Sequence, residues 1–161
     1  MTAPPAESKT AGPDSKKPSS AGSIDISTPS TAPEAGKKTR VMLVDDHAVM
    51  RHGLSALLDL QSDIETVGEA SNGEEAVHLA RKLRPDVILM DISMPRMNGI
   101  EATRIIHSEF PDIRIIGLSM YYPDGQAEAM IRAGASAYQS KADNADLLLA
   151  AIRGAVDGAA V

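Results

Sequence analysis

The sequence predicts an α/β domain, a doubly wound parallel sheet of five strands with helices on both faces. Three observations carry that expectation. Two short apolar runs, Val-Met-Leu-Val at 41–44 and Val-Ile-Leu-Met at 87–90, contain no polar residue, as strands buried on both faces require. Such runs alternate with segments of helical spacing along about 120 residues, and that alternation implies parallel strands joined by right-handed crossovers. Each run also ends in polar residues followed by turn or helix signals, so polar groups gather where ligands bind in open α/β sheets, at the carboxyl edge.

The elements follow in order. The first strand, 41–44, ends in Asp45-Asp46. A helix over 48–60 carries Met50, Leu54, Leu57 and Leu58 at helical spacing. The mixed run 64–68 suits an edge strand, and Ser71-Asn72-Gly73 makes a turn. Residues 74–84 form a helix with Ala76, Leu79, Ala80 and Leu83 inward, stopped by Pro85. The central strand, 87–90, ends at Asp91, and Pro95 with Asn98-Gly99 marks a loop. Helical spacing returns over 99–109 through Ile105 and Ile106, until Pro111-Asp112 breaks it. A fourth strand, 113–118, ends at Ser119. A fourth helix, 124–133, is closed by Gly134 in a positive-φ conformation. A small fifth strand, 135–139, precedes Ser140-Lys141, and Asp143 or Asn144 caps a last helix carrying Leu147, Leu148, Ala151, Ile152 and Ala155.

Composition narrows the function classes. The 161 residues suffice for one domain and a tail. Residues 1–38 hold six of the ten prolines and are rich in Ser, Thr, Ala and Gly, which predicts a disordered tail or linker. The domain is expected over 39–158. No apolar run reaches membrane-spanning length and no apolar leader is present, so no membrane contact and a cytoplasmic location are expected. The absence of cysteine excludes disulfides and thiolate metal sites. His47, His52, His78 and His107 lack zinc-pair spacing and read as helix-face residues rather than ligands. The first 38 residues carry a net charge of +1 and the remainder −7. An acidic domain suits a metal cation or a basic protein surface better than nucleic acid.

The strand-end groups Asp45, Asp46, Asp91, Ser119 and Lys141 therefore converge on one sheet edge. Three close carboxylates repel one another unless a cation is present, and an all-oxygen set with room for water and phosphate suits Mg²⁺. Asp91, central and at its strand end, can act as a nucleophile toward phosphorus and form an acyl phosphate. Lys141 and the metal would stabilise charge on the phosphoryl oxygens, and Ser119 could bond one of them.

The stretches Val-Met-Leu-Val-Asp45-Asp46-His, Met-Asp91-Ile-Ser-Met-Pro-Arg-Met-Asn-Gly, Leu-Ser119-Met and Ala-Gly-Ala-Ser-Ala-Tyr138-Gln-Ser-Lys141 resemble the receiver domain of two-component response regulators. The resemblance covers about residues 40–157 and is nearest to receivers of the LuxR-type (NarL/FixJ-like) subgroup. It implies a flavodoxin-like five-stranded sheet of order 2-1-3-4-5 with five helices. It implies Asp91 as phosphoacceptor, fed from a phosphohistidine on a sensor histidine kinase or histidine phosphotransfer domain. Mg²⁺ would be held by Asp45, Asp46, Asp91 and the backbone carbonyl of Ser93. Ser119 would be the switch hydroxyl, Tyr138 the switch aromatic and Lys141 the phosphate-pairing ammonium. Ala142 stands where the family often has proline, and a trans bond is expected before it. Met120 replaces a commonly small residue, which implies restricted access, and Ser93 and Tyr121 stand at positions that tune hydrolysis of the phospho-form, with Tyr121 either shielding it or standing as a solvated loop aromatic.

The resemblance implies a signalling domain in a phosphorelay rather than an enzyme, with at most slow self-dephosphorylation. The face formed by the fourth helix, fifth strand and last helix would engage an output protein or a second copy in a phosphorylation-dependent homodimer. A helix-turn-helix needs roughly sixty further residues, so direct nucleic-acid binding is not expected. A receiver module of a hybrid sensor kinase is the alternative within the class. A phosphatase passing through phospho-aspartate is the alternative outside it, opposed by Ser93 where a second catalytic acid would stand.

Overall fold

A computed structural model of the chain describes residues 37–120 and 125–157, the last three by backbone alone. The expected tail therefore lies outside the described residues apart from Lys37 and Lys38, and so does Tyr121. Among the described residues ten elements alternate: β1 (Thr39–Val44), α1 (Ala48–Asp59), β2 (Ile64–Ala70), α2 (Gly73–Leu83), β3 (Val87–Asp91), α3 (Gly99–Glu109), β4 (Arg114–Ser119), α4 (Gln126–Ala133), β5 (Ala137–Ser140) and α5 (Ala145–Asp157). The strands form one sheet of order β2-β1-β3-β4-β5, every pair parallel.

Side-chain alternation along the strands builds two cores. Met42, Val44, Ile88 and Met90 face α2, α3 and α4, meeting Ala76, Ala80, Ile106 and Met130. Val41, Leu43, Val87 and Leu89 face α1 and α5, meeting Leu58, Leu148 and Ile152. Both faces of β1 and β3 are thus covered, which is why their sequences show no polar interruption. Each fully buried Leu or Ile contributes about 1.5–3 kcal/mol of transfer free energy.

Local signals set the helix ends. Asn72 Oδ1 accepts from the Glu75 N–H at 2.9 Å and caps α2, while Glu75 Oε1 accepts from the N–H of Ser71, one residue before the cap, at 2.7 Å. Asn98 Oδ1 accepts from the Glu101 N–H and caps α3. Asn144, rather than Asp143, accepts from the Leu147 N–H at the start of α5. Pro85 disfavours helical backbone at the residue before it. Arg84 closes α2 in the left-handed region at φ 48°, where a helix commonly ends, its guanidinium 4.1 Å from the centre of the Phe110 ring. β5 starts two residues later than expected because Ala135 and Ser136 are taken up by the turn after Gly134, their N–H groups bonding Met130 and Ile115. Among the described residues no helix is long and apolar enough to cross a membrane.

Candidate functional site

Parallel register sets the site. Val44 pairs with Met90, so Asp45 and Asp91 project side by side from the carboxyl ends of β1 and β3. Asp91 pairs with Leu118 and Ser119 with Ser140, which brings Ser119 and Lys141 to the same edge. The main chain is locked there by the Lys141 N–H donating to the Ser119 carbonyl at 2.7 Å and the Asp45 N–H to the Ala70 carbonyl at 3.0 Å. Gly99 closes the loop after β3. Its N–H donates to the Ile92 carbonyl at 2.8 Å, and a Cβ on it would stand 2.0 Å from the Asp91 carbonyl oxygen. Only a residue without a side chain permits that approach.

Asp45 and Asp91 are buried, 2% and 5% exposed, while Asp46 is partly exposed. The Lys141 ammonium, 96 residues from Asp45 in the chain, sits between the two buried carboxylates, 2.5 Å from Asp45 Oδ2 and 3.1 Å from Asp91 Oδ1. Burial, then the neighbouring Asp45 charge, push the Asp91 carboxyl up to about 6, against the opposing pull of Lys141. Burial works to lower the Lys141 value, but the hydrogen bond to Asp45 and the charges of Asp91 and Asp45 outweigh it, and the net shift is upward. The ammonium therefore stays charged and holds two carboxylates that would otherwise repel each other.

His47 departs from its expected place on an outer helix face. It is the N-cap residue of α1, with extended backbone, and its Nδ1 lies 3.2 Å from Asp45 Oδ1 and 3.2 Å from Asp46 Oδ1. Its backbone N–H also donates to Asp45 Oδ1 at 2.9 Å. Asp46 does not cap the helix. Arg51, one turn into α1, donates to the Asp45 carbonyl at 2.5 Å and to Glu69 Oε1 at 3.1 Å, tying β1, β2 and α1 together behind the site. Neither role was read from the sequence. The signal available for His47 was its place directly after Asp45-Asp46; Arg51 offered none.

Asp45, Asp46, His47 and Asp91 each offer one ligand atom, all within 4.8 Å of one another. Three of the four are carboxylate oxygens and Asp46 opens to solvent, a donor set that fits a hard divalent cation keeping part of its water. Ser93 is exposed in the loop after β3. Ser119 is buried at the end of β4, and Met120, 55% exposed, forms the rim beside it. Tyr138 is half-buried opposite Gly117 in the β4–β5 pair. A Cβ on Gly117 would lie 3.0 Å from the Tyr138 ring and 2.7 Å from Met130 Cε, so the missing side chain makes the space in which that ring packs. The bond before Ala142 is trans, as expected.

Comparison with known proteins agrees with this geometry. The pattern described as the response regulator receiver domain matches residues 41–153. The transcriptional regulatory protein LiaR of Bacillus subtilis is 49% identical over 119 residues, covering 74% of this chain and 56% of that protein. A two-component response regulator of the LuxR family from Aurantimonas superposes with a TM-score of 0.73 at 35% identity, covering 77% of this chain and 89% of that one. A DNA-binding response regulator of the LuxR family from Staphylococcus aureus superposes with a TM-score of 0.70 at 25% identity, covering 73% and 98%.

These relatives overturn the partner expectation that excluded direct nucleic-acid binding. They are named as transcriptional and DNA-binding regulators, not as enzymes. The present chain spans about half the length of the curated relatives it matches. The acidic balance and the room for a helix-turn-helix behind that expectation describe one domain and carry no information about the rest of such a protein. On sequence and fold alike, the chain belongs to the response regulator receiver domains of two-component systems.

Proposed function

We propose that residues 39–158 accept a phosphoryl group onto a carboxylate oxygen of Asp91 from a phosphohistidine donor and pass the change to a contact face. One observation carries the reading: the buried Lys141 ammonium bridges Asp45 and Asp91 at the carboxyl edge of the sheet. An isolated strand-end aspartate would not need a buried cation directed at it.

The transfer breaks the phosphorus–nitrogen bond of the donor and forms a phosphorus–oxygen bond to Asp91. The imidazole leaves with the electron pair and takes up a proton. Asp45, Asp46, Asp91 and the Ser93 carbonyl would hold Mg²⁺, which neutralises charge on the phosphoryl oxygens when bound. Lys141 supplies a second positive charge beside Asp91, in a site dry enough to make it count. Its partner Asp45 stays behind to hold it, so the ammonium remains oriented as Asp91 is modified.

The new group adds about −1.5 to −2 charges at Asp91. Ser119, at the end of the neighbouring strand, would donate a hydrogen bond to it. Tyr138, packed over Gly117 two residues earlier on β4, is the aromatic whose packing would answer that movement. Bulk at Tyr121 would shield the acyl phosphate from water. The reading carries with it a cytoplasmic location and residues 1–38 as a tail or linker. The relatives' names support an output in transcription for the longer protein of which such a domain is part.

The test is intact-mass measurement of the full chain after incubation with acetyl phosphate and MgCl₂. One phosphoryl group per chain is expected, absent in Asp91→Asn and absent with chelator. An unmodified wild-type chain, or modification that survives in Asp91→Asn, overturns the reading.

A further inference from the structure

We propose that His47 is a metal-selecting ligand of the same notch, so that the site takes imidazole-accepting cations of the Mn²⁺ and Co²⁺ class better than an all-carboxylate notch would. This rests on the reading of the notch as a divalent-cation site.

Four features of the structure point to it. His47 stands at the N-cap of α1 with φ −96° and ψ 108°, before the helix begins, so its ring is not committed to the outer helix face. Its backbone N–H is pinned to Asp45 Oδ1, which fixes where the ring starts. Nδ1 faces inward, equidistant at 3.2 Å from oxygens of Asp45 and Asp46. The ring as a whole is 72% exposed, so little packing opposes the small turn that would move Nδ1 from these two carboxylate oxygens onto a cation held between them.

The chemistry then decides which cation gains. Mg²⁺ takes oxygen ligands and dehydrates reluctantly, so a nitrogen donor adds little. Imidazole suits the first-row transition cations, whose affinities for mixed nitrogen and oxygen sites rise from Mn²⁺ to Co²⁺ and beyond. Ligand–metal distances near ~2.0–2.2 Å place two ligand atoms on one ion at most about 4.4 Å apart. The existing 4.8 Å spread of the four donor atoms closes onto an ion with small side-chain movements. The rival role is a hydrogen-bonding one, with the ring only steadying Asp45 and Asp46.

The experiment titrates the full wild-type chain, His47→Ala and His47→Gln with MnCl₂, CoCl₂ and MgCl₂. Bound Mn²⁺ is followed by its electron paramagnetic resonance signal, Co²⁺ by visible absorbance and Mg²⁺ by competition against Mn²⁺. Loss of even an outer metal partner typically costs about 10–100-fold, so His47→Ala and His47→Gln should each weaken Co²⁺ by at least about tenfold and Mg²⁺ by less than about twofold. Pulsed resonance of bound Mn²⁺ should show nitrogen coupling in the wild type and lose it in both variants. Equal weakening of all three cations, unchanged Co²⁺ affinity, or no nitrogen coupling in the wild type overturns the proposal while leaving the cation site standing. A wild-type chain that binds none of the three overturns the cation site as well.

Discussion

Replacing Asp91 with asparagine in chelator-treated buffer separates the electrostatic cost of the notch from its function. The Asp91 carboxyl titrates near 6 in the folded chain against 3.8 ordinarily. The folded chain thus holds this proton more tightly than the unfolded chain does. With respect to this group, stability is greatest below the lower value, falls as pH rises through the window between the two, and stays reduced above it. At about 1.4 kcal/mol per tenfold change in proton affinity, that difference sets an upper bound of about 3 kcal/mol on the penalty, reduced by whatever solvent screens the pair. Asparagine keeps the shape and never ionises. Asp91→Asn should therefore be up to about 3 kcal/mol more stable than wild type near about pH 7.5, and equal to it near about pH 4. Urea denaturation at pH steps across that range measures the difference. Millimolar MgCl₂ should then restore part of the wild-type deficit and leave the variant unmoved, because a bound cation removes the repulsion. Curves that run parallel from pH 4 to 8, or a variant weaker than wild type near neutrality, would refute the account of Asp91 as a carboxylate ionised at a cost in stability.

Lys141→Ala tests the other side of the same balance: stranding Asp45 and Asp91 without their ammonium should cost about 3–5 kcal/mol near neutrality, and a loss below about 1 kcal/mol by urea denaturation would show the bridge to be incidental. Gly99→Ala drives a methyl into the Asp91 carbonyl oxygen and should cost about 1–3 kcal/mol or more while displacing the phosphoacceptor, read as lost stability together with lost labelling by acetyl phosphate. Gly53→Ala is its control, since a Cβ there meets nothing within 4 Å in the middle of α1, and the variant should gain about 0.5–1 kcal/mol. At the far edge, the Arg153 hydrogen bond holds the Asp63 carboxyl below its usual range. A depressed acid stabilises above its ordinary titration and loses that contribution as pH falls. Arg153→Met should thus cost no more than about 1 kcal/mol at neutrality, the pair being half exposed, and the difference should fade in acid.

Much of this protein was legible in its sequence because the decisive signals are local. Val87 to Met90 could be read as a central strand because burial on both faces removes every polar residue, and the structure covers both faces. Asp45, Asp91, Ser119 and Lys141 could be assigned to one edge because parallel strands all finish on the same side. Element ends were less legible. The apolar pattern stops where burial stops, while strand pairing runs on, as at Thr39 before the run 41–44 and Ala70 beyond the mixed run 64–68.

The sequence by itself determined the alternation of elements, the two-sided core and the collection of three carboxylates, a hydroxyl and an ammonium at one edge. Alternation is indifferent to which strand lies beside which; the order 2-1-3-4-5 came from the family resemblance, and the hydrogen-bonded pairing bears it out as β2-β1-β3-β4-β5. Tertiary structure alone decided that Lys141 lies between Asp45 and Asp91, that Arg51 braces the Asp45 carbonyl, and that His47 turns into the notch. Periodicity reports a residue's face on its own element. It holds no record of a contact made across 96 residues, nor of the direction taken by a ring at a helix cap, which the backbone angles before the first turn set.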